Sequence, residues 1–151
     1  MKLSANFQLS ELVKSQTAER KGIPNNPSPT HIDNLKALCV NVLQPIRSHF
    51  ESPVMISSGY RSGELCIAIG SKPTSQHAEG KAADIEVVGV DNKALAQWIK
   101  DNLEYDQLIL EFYRDGEPDS GWVHVSWSSG ENRNMSLRAI KEDDKTKYKP
   151  W

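Results

Sequence analysis

The first half of the chain places apolar residues at the spacing of α-helices. A first helix is predicted over 9–21, and Gly22 follows its end. A second, longer helix is predicted to begin at Thr30 as its N-cap, after the proline-rich stretch 23–29. Its apolar positions recur every three or four residues, at Ile32, Leu35, Cys39, Val42, Leu43 and Ile46. Pro45 lies within this pattern and is expected to kink or restart the helix, because proline has no backbone N–H.

The pattern then changes to shorter apolar runs that are typical of β-strands. Two of them lie at 54–58 and 82–88, and two more lie at 107–113 and 121–127. The polar loop 114–120 joins the last two runs, which predicts a β-hairpin. Strands and helices do not alternate regularly along the chain. The predicted fold class is therefore α+β, a small antiparallel sheet flanked by helices.

Composition limits the classes of protein to which the chain can belong. The 151 residues are 38% hydrophobic and 25% charged, which fits one soluble domain over 1–151 with a charged C-terminal tail at about 141–151. A net charge of -2 argues against a nucleic-acid partner or an anionic membrane, and we expect a monomer. The first ten residues do not resemble a signal peptide, so the chain is expected to be cytoplasmic when made.

Two stretches carry ligand-type side chains beside apolar runs. His77 and Asp84 flank a turn at Gly80, and His124 alternates with two valines in the sequence Trp-Val-His-Val-Ser. Two histidines, one carboxylate and an open fourth position make the ligand set of a catalytic zinc site. A structural alternative is that Asp84 only orders the glycine turn.

These motifs resemble the zinc D-Ala-D-Ala peptidase family. The similarity rests on Ser-Gly-Tyr-Arg-Ser at 58–62, on Ser-Gln-His at 75–77 with Gly80 and Ala-Asp at 83–84, and on Trp-Val-His-Val-Ser at 122–126. The family includes bacterial D,D-carboxypeptidases, D,D-dipeptidases and phage endolysins, and it shares its fold with the Hedgehog signalling domain. The resemblance implies the Hedgehog/D,D-peptidase fold, and it implies that His77, Asp84 and His124 bind Zn²⁺.

The general base is harder to assign from this resemblance. Several branches of the family have an acid three residues before the second histidine, and this chain has Gly121 there. The nearby acids are Glu111, Asp115, Glu117 and Asp119. Glu111 is preferred because it ends the first strand of the predicted hairpin, from which its carboxylate can reach the attacking water. Asp119 is the second choice, and a solvent-exposed strand end is the structural alternative for Glu111.

Substrate binding is predicted for residues around the first strand end and the first histidine. Arg61 follows a strand and a glycine turn, and an arginine can bind a carboxylate through two parallel hydrogen bonds. The resemblance gives Arg61 a substrate-binding or oxyanion-stabilising role, with a salt bridge to Glu64 or Glu79 as the structural alternative. Ser75 is expected to contact the substrate or to orient His77, and Tyr60 is expected to form a wall of the groove, with packing beside the core strand as the structural alternative.

The function implied by the resemblance is zinc-dependent hydrolysis of peptide bonds in peptidoglycan stem peptides or cross-links. The enzyme would be a metallopeptidase of the D,D-carboxypeptidase or endopeptidase type, and a phage or prophage endolysin that acts on the cell wall after release is the expected context. The bond that is cut, D-Ala-D-Ala or another such as L-Ala-D-Glu, stays open. The alternative is a non-catalytic, zinc-stabilised module that binds the cell wall or forms part of a phage particle.

Overall fold

The computed structural model describes all 151 residues and has the α+β architecture expected from the sequence. Its elements in chain order are β1 Lys2–Ser4, β2 Phe7–Gln8, α1 Leu9–Val13, α2 Gln16–Lys21, α3 Pro29–Leu38, a π-helical stretch Cys39–Leu43, α4 Gln44–Phe50, β3 Val54–Ser58, α5 Gly63–Ala68, a 3-10 turn Gln76–Glu79, β4 Ala82–Val87, α6 Asn92–Asn102, β5 Gln107–Glu111, β6 Trp122–Ser126, β7 Met135–Glu142 and β8 Lys145–Pro150. None of its helices combines the length and the apolar character that a membrane span requires.

The long core helix differs from its prediction where it begins. Ser28, rather than Thr30, is the N-cap, because its Oγ accepts a hydrogen bond from the backbone N–H of His31 at 3.2 Å. The helix then runs on to residue 50 and widens into the π-helical stretch Cys39–Leu43 just before Pro45. The backbone N–H of Gln44, just before Pro45, bonds to the carbonyl of Cys39 across this wider turn, and the chain continues as α4.

Six strands form one sheet in the order β3-β4-β6-β5-β7-β8. The predicted hairpin is confirmed, since β5 and β6 pair antiparallel with Glu111 opposite Trp122. The expectation of a wholly antiparallel sheet is wrong for one pair, because β7 runs parallel to β5. The loop 127–134 leaves the end of β6, passes the start of β5 and enters β7 on the far side, which fixes the direction of β7.

The segment 141–151, expected to be a charged tail, instead forms the end of β7 and all of β8. Asp143 and Asp144 form the turn between the two strands with φ angles of 53° and 62°, as a two-residue type I′ hairpin requires. β8 is an edge strand, and its lysines keep that edge soluble. The same lysines make the sequence of this segment resemble a charged, solvent-exposed tail.

The two faces of the sheet have different surroundings. On one face, buried apolar side chains of the strands join those of α3, α4 and α6 in one core: Leu35, Leu38, Ile46, Ala83, Ile85, Leu95, Ile99, Leu108, Leu110, Val123 and Val125. The alternate positions of the same strands, including Asp84, Glu111 and His124, point to the opposite face. The helices therefore cover one face, and the polar residues of interest lie on the other.

Candidate metal centre

Strand register brings two of the predicted ligands side by side. Asp84 lies directly opposite His124 across the β4–β6 pair, and Ser58 of β3 lies opposite Asp84 on its other side. Residues paired in this way on neighbouring strands project to the same face of the sheet. The alternation that places Val123 and Val125 in the core therefore places His124 beside Asp84.

His77 reaches the same point from the 3-10 turn that precedes β4. The turn ends at Gly80, which has a φ of +75°, and a Cβ at that position would lie 2.6 Å from the carbonyl oxygen of His31. Only glycine combines this left-handed conformation with so close an approach. Ser75 caps the turn, where its Oγ accepts a hydrogen bond from the backbone N–H of His77 at 3.2 Å.

The ring of His77 is oriented by the backbone. Its Nδ1 lies 2.7 Å from the carbonyl oxygen of Gly59. Because a carbonyl oxygen can only accept, Nδ1 carries the hydrogen and Nε2 keeps its lone pair. That Nε2 atom lies 3.4 Å from Oδ1 of Asp84. A histidine held by a carbonyl in this way is typical of metal ligands.

The three side chains form a compact donor set. Nδ1 of His124 lies 3.0 Å from the Asp84 Oδ1 atom that also faces His77, and one ligand atom from each residue lies within 4.8 Å of the other two. Two imidazole nitrogens and one carboxylate oxygen are donors that suit Zn²⁺. The residues present therefore fit a bound zinc ion.

The protonation of the cluster also favours metal binding. Burial alone would raise the pKa of Asp84, but the hydrogen bond that Asp84 accepts from Nδ1 of His124 opposes burial, and the pKa lies well below its usual range. Burial lowers the pKa of His77, although Asp84 opposes the shift. Asp84 is thus ionised and His77 neutral near neutral pH, which are the forms that bind metals.

Arg61 contacts the cluster directly. Its Nη2 group donates to Oδ2 of Asp84 at 2.9 Å, and its Nε donates to Oγ of Ser58 at 2.6 Å. The salt bridges to Glu64 or Glu79 considered from the sequence are absent, and the partner is Asp84. The guanidinium therefore holds the carboxylate oxygen that faces away from the histidines.

Glu111 lies in the same cleft as the cluster, two residues along β5 from Ile109, which pairs with His124. Burial raises the pKa of Glu111, and the negative charge of Asp84 raises it further. Both effects show that Glu111 lies in a partly desolvated position close to the cluster.

The other candidate acids lie elsewhere. Asp119 is exposed on the loop 114–120 and does not line the cleft, while Asp115 pairs with Lys93 and Arg138 and Glu117 pairs with Arg114.

Gly121 explains why this chain has no acid three residues before His124. Its φ is +62°, and a Cβ there would overlap the carbonyl oxygen of Glu111 and lie 2.8 Å from the carbonyl carbon of Phe112. The backbone of the hairpin thus passes too close for any side chain. Among the nearby acids, Glu111 on the partner strand β5 is the one that lines the cleft.

A cleft of about 350 Å³ opens over the cluster, and its lining can be compared with the predicted substrate-binding residues. Arg61, Ser75 and Glu111 line it, as does Trp122. Tyr60 does not: it is only 5% exposed and belongs to the hydrophobic core, where its ring packs against His31 with 5.0 Å between the ring centroids. The structure therefore gives Tyr60 a packing position in place of the predicted groove wall.

Four residues of the cleft were not foreseen: Ser71, Gln107, Ile109 and Tyr148. Gln107 and Ile109 share a face of β5 with Glu111, so the alternation of side chains along that strand could have placed both beside Glu111. Tyr148 belongs to β8, where threonine and tyrosine alternate with lysines at 145–149. That alternation is also a strand signal, and the high charge obscured it.

Comparison with protein families identifies the family of the chain. The family model described as Peptidase M15 matches residues 5–126, a range that includes Arg61, Glu111 and all three residues of the cluster. A comparison with curated proteins gives no significant match. The resemblance to zinc D-Ala-D-Ala peptidases is confirmed at the level of the family. With four-fifths of its length matched and a His-Asp-His cluster in place, the chain belongs to the peptidase M15 family of metallopeptidases.

Proposed function

We propose that the protein is a zinc peptidase that hydrolyses peptide bonds in peptidoglycan stem peptides or cross-links. The observation that carries this proposal is the His77, Asp84 and His124 cluster, with a partly desolvated Glu111 in the same cleft. We further propose that residues 1–151 act as one domain with the Hedgehog/D,D-peptidase fold, and that the protein is a monomer.

The zinc ligands in this proposal are Nε2 of His77, Oδ1 of Asp84 and Nδ1 of His124. The hydrogen bond from His77 to Gly59 and the ion pair between Asp84 and Arg61 would orient two of these ligands. When bound, Zn²⁺ supplies a Lewis acid that polarises the scissile carbonyl and makes a water molecule more acidic.

Glu111 acts as the general base in this proposal. Its carboxylate takes a proton from the attacking water as the new C–O bond forms, and it returns that proton to the amine nitrogen as the C–N bond breaks. One water is consumed, and Glu111 ends in its starting state. A raised pKa makes a carboxylate a stronger base, so its shift is in the useful direction.

Arg61 has a positioning role toward Asp84 and a second role toward the substrate. Asp84 and Ser58 use only its Nη2 and Nε groups, so the guanidinium keeps further N–H donors in the cleft. Those donors are suited to a substrate carboxylate or to the oxyanion of the tetrahedral intermediate. Ser75, at the edge of the cleft, offers a hydroxyl for a further hydrogen bond to the peptide.

The choice of peptidoglycan rests on the resemblance to D,D-carboxypeptidases and phage endolysins. The same resemblance supports a role as a phage or prophage endolysin that acts on the cell wall. Both D,D-carboxypeptidase and endopeptidase activity agree with a metallopeptidase cleft that is open to solvent.

The test is hydrolysis of purified peptidoglycan by zinc-loaded protein, followed through newly freed amino groups. Glu111→Gln keeps the shape of the side chain and removes the proton acceptor, so the rate should fall on the order of a hundred- to ten-thousandfold at unchanged zinc content. Asp119→Asn is the matched control and should keep the wild-type rate.

Other outcomes would change the assignment. A loss of activity in Asp119→Asn but not in Glu111→Gln would move the base to the loop 114–120. A wild-type protein that binds one zinc and releases no amino groups from any wall preparation would favour the non-catalytic binding module.

A further inference from the structure

We propose that Tyr148, on the last strand of the sheet, binds the peptide substrate beside Glu111 and helps to set which peptides are accepted. The inference rests on the proposed function, and it concerns a residue beyond the segment 5–126 that the family model matches. A residue outside the shared segment is suited to distinguish this chain from other members of the family.

The geometry that supports the proposal is a single row of residues across four strands. Trp122 of β6 pairs with Glu111 of β5, Glu111 pairs with Ala139 of β7, and Ala139 pairs with Tyr148 of β8. Residues in one row project to the same face of a sheet, so the phenol and the Glu111 carboxylate face the same side. The two Cα positions are two strand spacings apart, about 10 Å.

The residue between them leaves room for the tyrosine ring. Ala139 is fully buried and its methyl group is the smallest side chain that the row could hold without glycine. A tyrosine side chain is long enough to lean over this alanine, and Tyr148 does line the cleft together with Glu111 and His124. Partial burial raises the pKa of the Tyr148 phenol, and the Glu111 carboxylate adds to the shift, which agrees with their proximity.

The hairpin holds Tyr148 in place from both ends. At one end, the tight turn at Asp143 and Asp144 fixes the register with β7. At the other end, the backbone N–H of Trp151 donates to the carbonyl of Ser136 at 3.0 Å, and the Ser136 hydroxyl donates to the carbonyl of Trp151 at 2.5 Å. The strand is therefore a defined wall of the cleft.

The exposure of Tyr148 indicates what it binds. The residue is 55% exposed, although a large aromatic side chain gains free energy from burial. A peptide lying in the cleft would cover the ring, whose face packs well against peptide planes and small methyl groups, while the hydroxyl can donate to a peptide carbonyl. The ligand class that fits is a peptide segment with small side chains, adjacent to the bond that is cut.

The experiment uses soluble muropeptides prepared from purified peptidoglycan and the full-length, zinc-loaded protein. Tyr148→Ala should raise KM about tenfold with kcat within about twofold of wild type, the effect of one well-packed contact residue. In a separate measurement without turnover, the Kd of the same muropeptides for Glu111→Gln should rise by a similar factor when Tyr148→Ala is added. Tyr148→Phe shows whether the ring or the hydroxyl carries the contact.

Lys147→Ala is the matched control, because Lys147 is exposed on the opposite face of the same strand and should leave KM unchanged. Wild-type hydrolysis together with an unchanged KM and Kd in Tyr148→Ala would overturn the inference alone. A fall in kcat at constant KM would also overturn it, since Tyr148 would then act on Glu111 and not on the substrate. No hydrolysis by wild type would overturn the proposed function, and the inference with it.

Discussion

Replacing Arg61 with lysine separates the two roles that the guanidinium can have. In the structure Nε of Arg61 donates to the Ser58 hydroxyl at 2.6 Å, and Nη2 donates to the Asp84 carboxylate at 2.9 Å. Lysine keeps the positive charge but carries one compact ammonium group, which cannot reproduce both contacts with the same spacing. Arg61→Lys therefore tests geometry at constant charge, and Arg61→Ala removes both geometry and charge.

The expected magnitude follows from the burial of the pair. The side chains of Arg61 and Asp84 are 16% and 9% exposed, so solvent screens their interaction only weakly. Loss of a hydrogen-bonding partner that orients a metal ligand typically weakens metal binding ten- to a hundredfold. We expect about a tenfold rise in the zinc Kd for Arg61→Lys and about a hundredfold rise for Arg61→Ala, within that range.

The assay is competition for Zn²⁺ against a chelator of known affinity, at fixed pH. Arg20→Lys, at an exposed position of α2, is the control for an arginine-to-lysine change and should bind zinc as the wild type does. A wild-type zinc Kd in Arg61→Lys, together with a lower kcat/KM, would refute the positioning role. Arg61 would then act on the substrate alone, as its place after the strand-end turn suggests from the sequence.

Two further predictions concern stability. Side-chain hydrogen bonds from Arg133 hold the pKa of Asp106 at about 2, below its ordinary 3.8, so the stabilisation by this carboxylate should be complete above about pH 4 and lost as pH falls toward 2. Because Arg133 is half exposed, we expect this stabilisation to be on the order of 1 kcal/mol. It is measured as the difference in the free energy of unfolding in urea between wild type and Asp106→Asn. A difference that does not shrink toward pH 2 would contradict this account. Gly121→Ala should lower the free energy of unfolding by about 2 kcal/mol or more, because the new methyl group would overlap the backbone at Glu111. Gly116 also has a positive φ but has open space around it, so Gly116→Ala should lower the free energy of unfolding by only about 1 kcal/mol. Equal losses in the Gly116→Ala and Gly121→Ala variants would show that φ alone explains the effect.

The metal cluster was the most predictable part of the molecule. The glycine turn between His77 and Asp84 and the alternation around His124 are local patterns that suggested a metal site, and the family resemblance then named the three residues that the structure brings together. The partner of Arg61 was not predictable in the same way. It depends on the register that sets Ser58 opposite Asp84, with an irregularity in β3 just before it, and register is a property of paired strands.

The C-terminal hairpin shows a second limit of the sequence. Residues 145–150 are rich in lysine, and that composition is typical of a solvated tail as well as of a protected edge strand. What decides between them is the exposed edge of β5, which only the assembled sheet provides for β7 and then β8. The groove position predicted for Tyr60 was wrong for a related reason: its neighbour Arg61 lines the cleft, but its own ring packs in the core.

The two carboxylates of the site have opposite pKa shifts, and the difference agrees with the roles proposed for them. Asp84 is the more buried of the two, but both histidines contact it, Arg61 pairs with it, and its pKa falls. Glu111 has burial without a cationic partner in contact, and the charge of Asp84 works against its ionisation, so its pKa rises. A carboxylate held ionised is suited to be a permanent ligand, and one with a raised pKa is suited to take and return a proton. An exchange of the two roles would require Asp84 to accept a proton against the combined effect of His124 and Arg61.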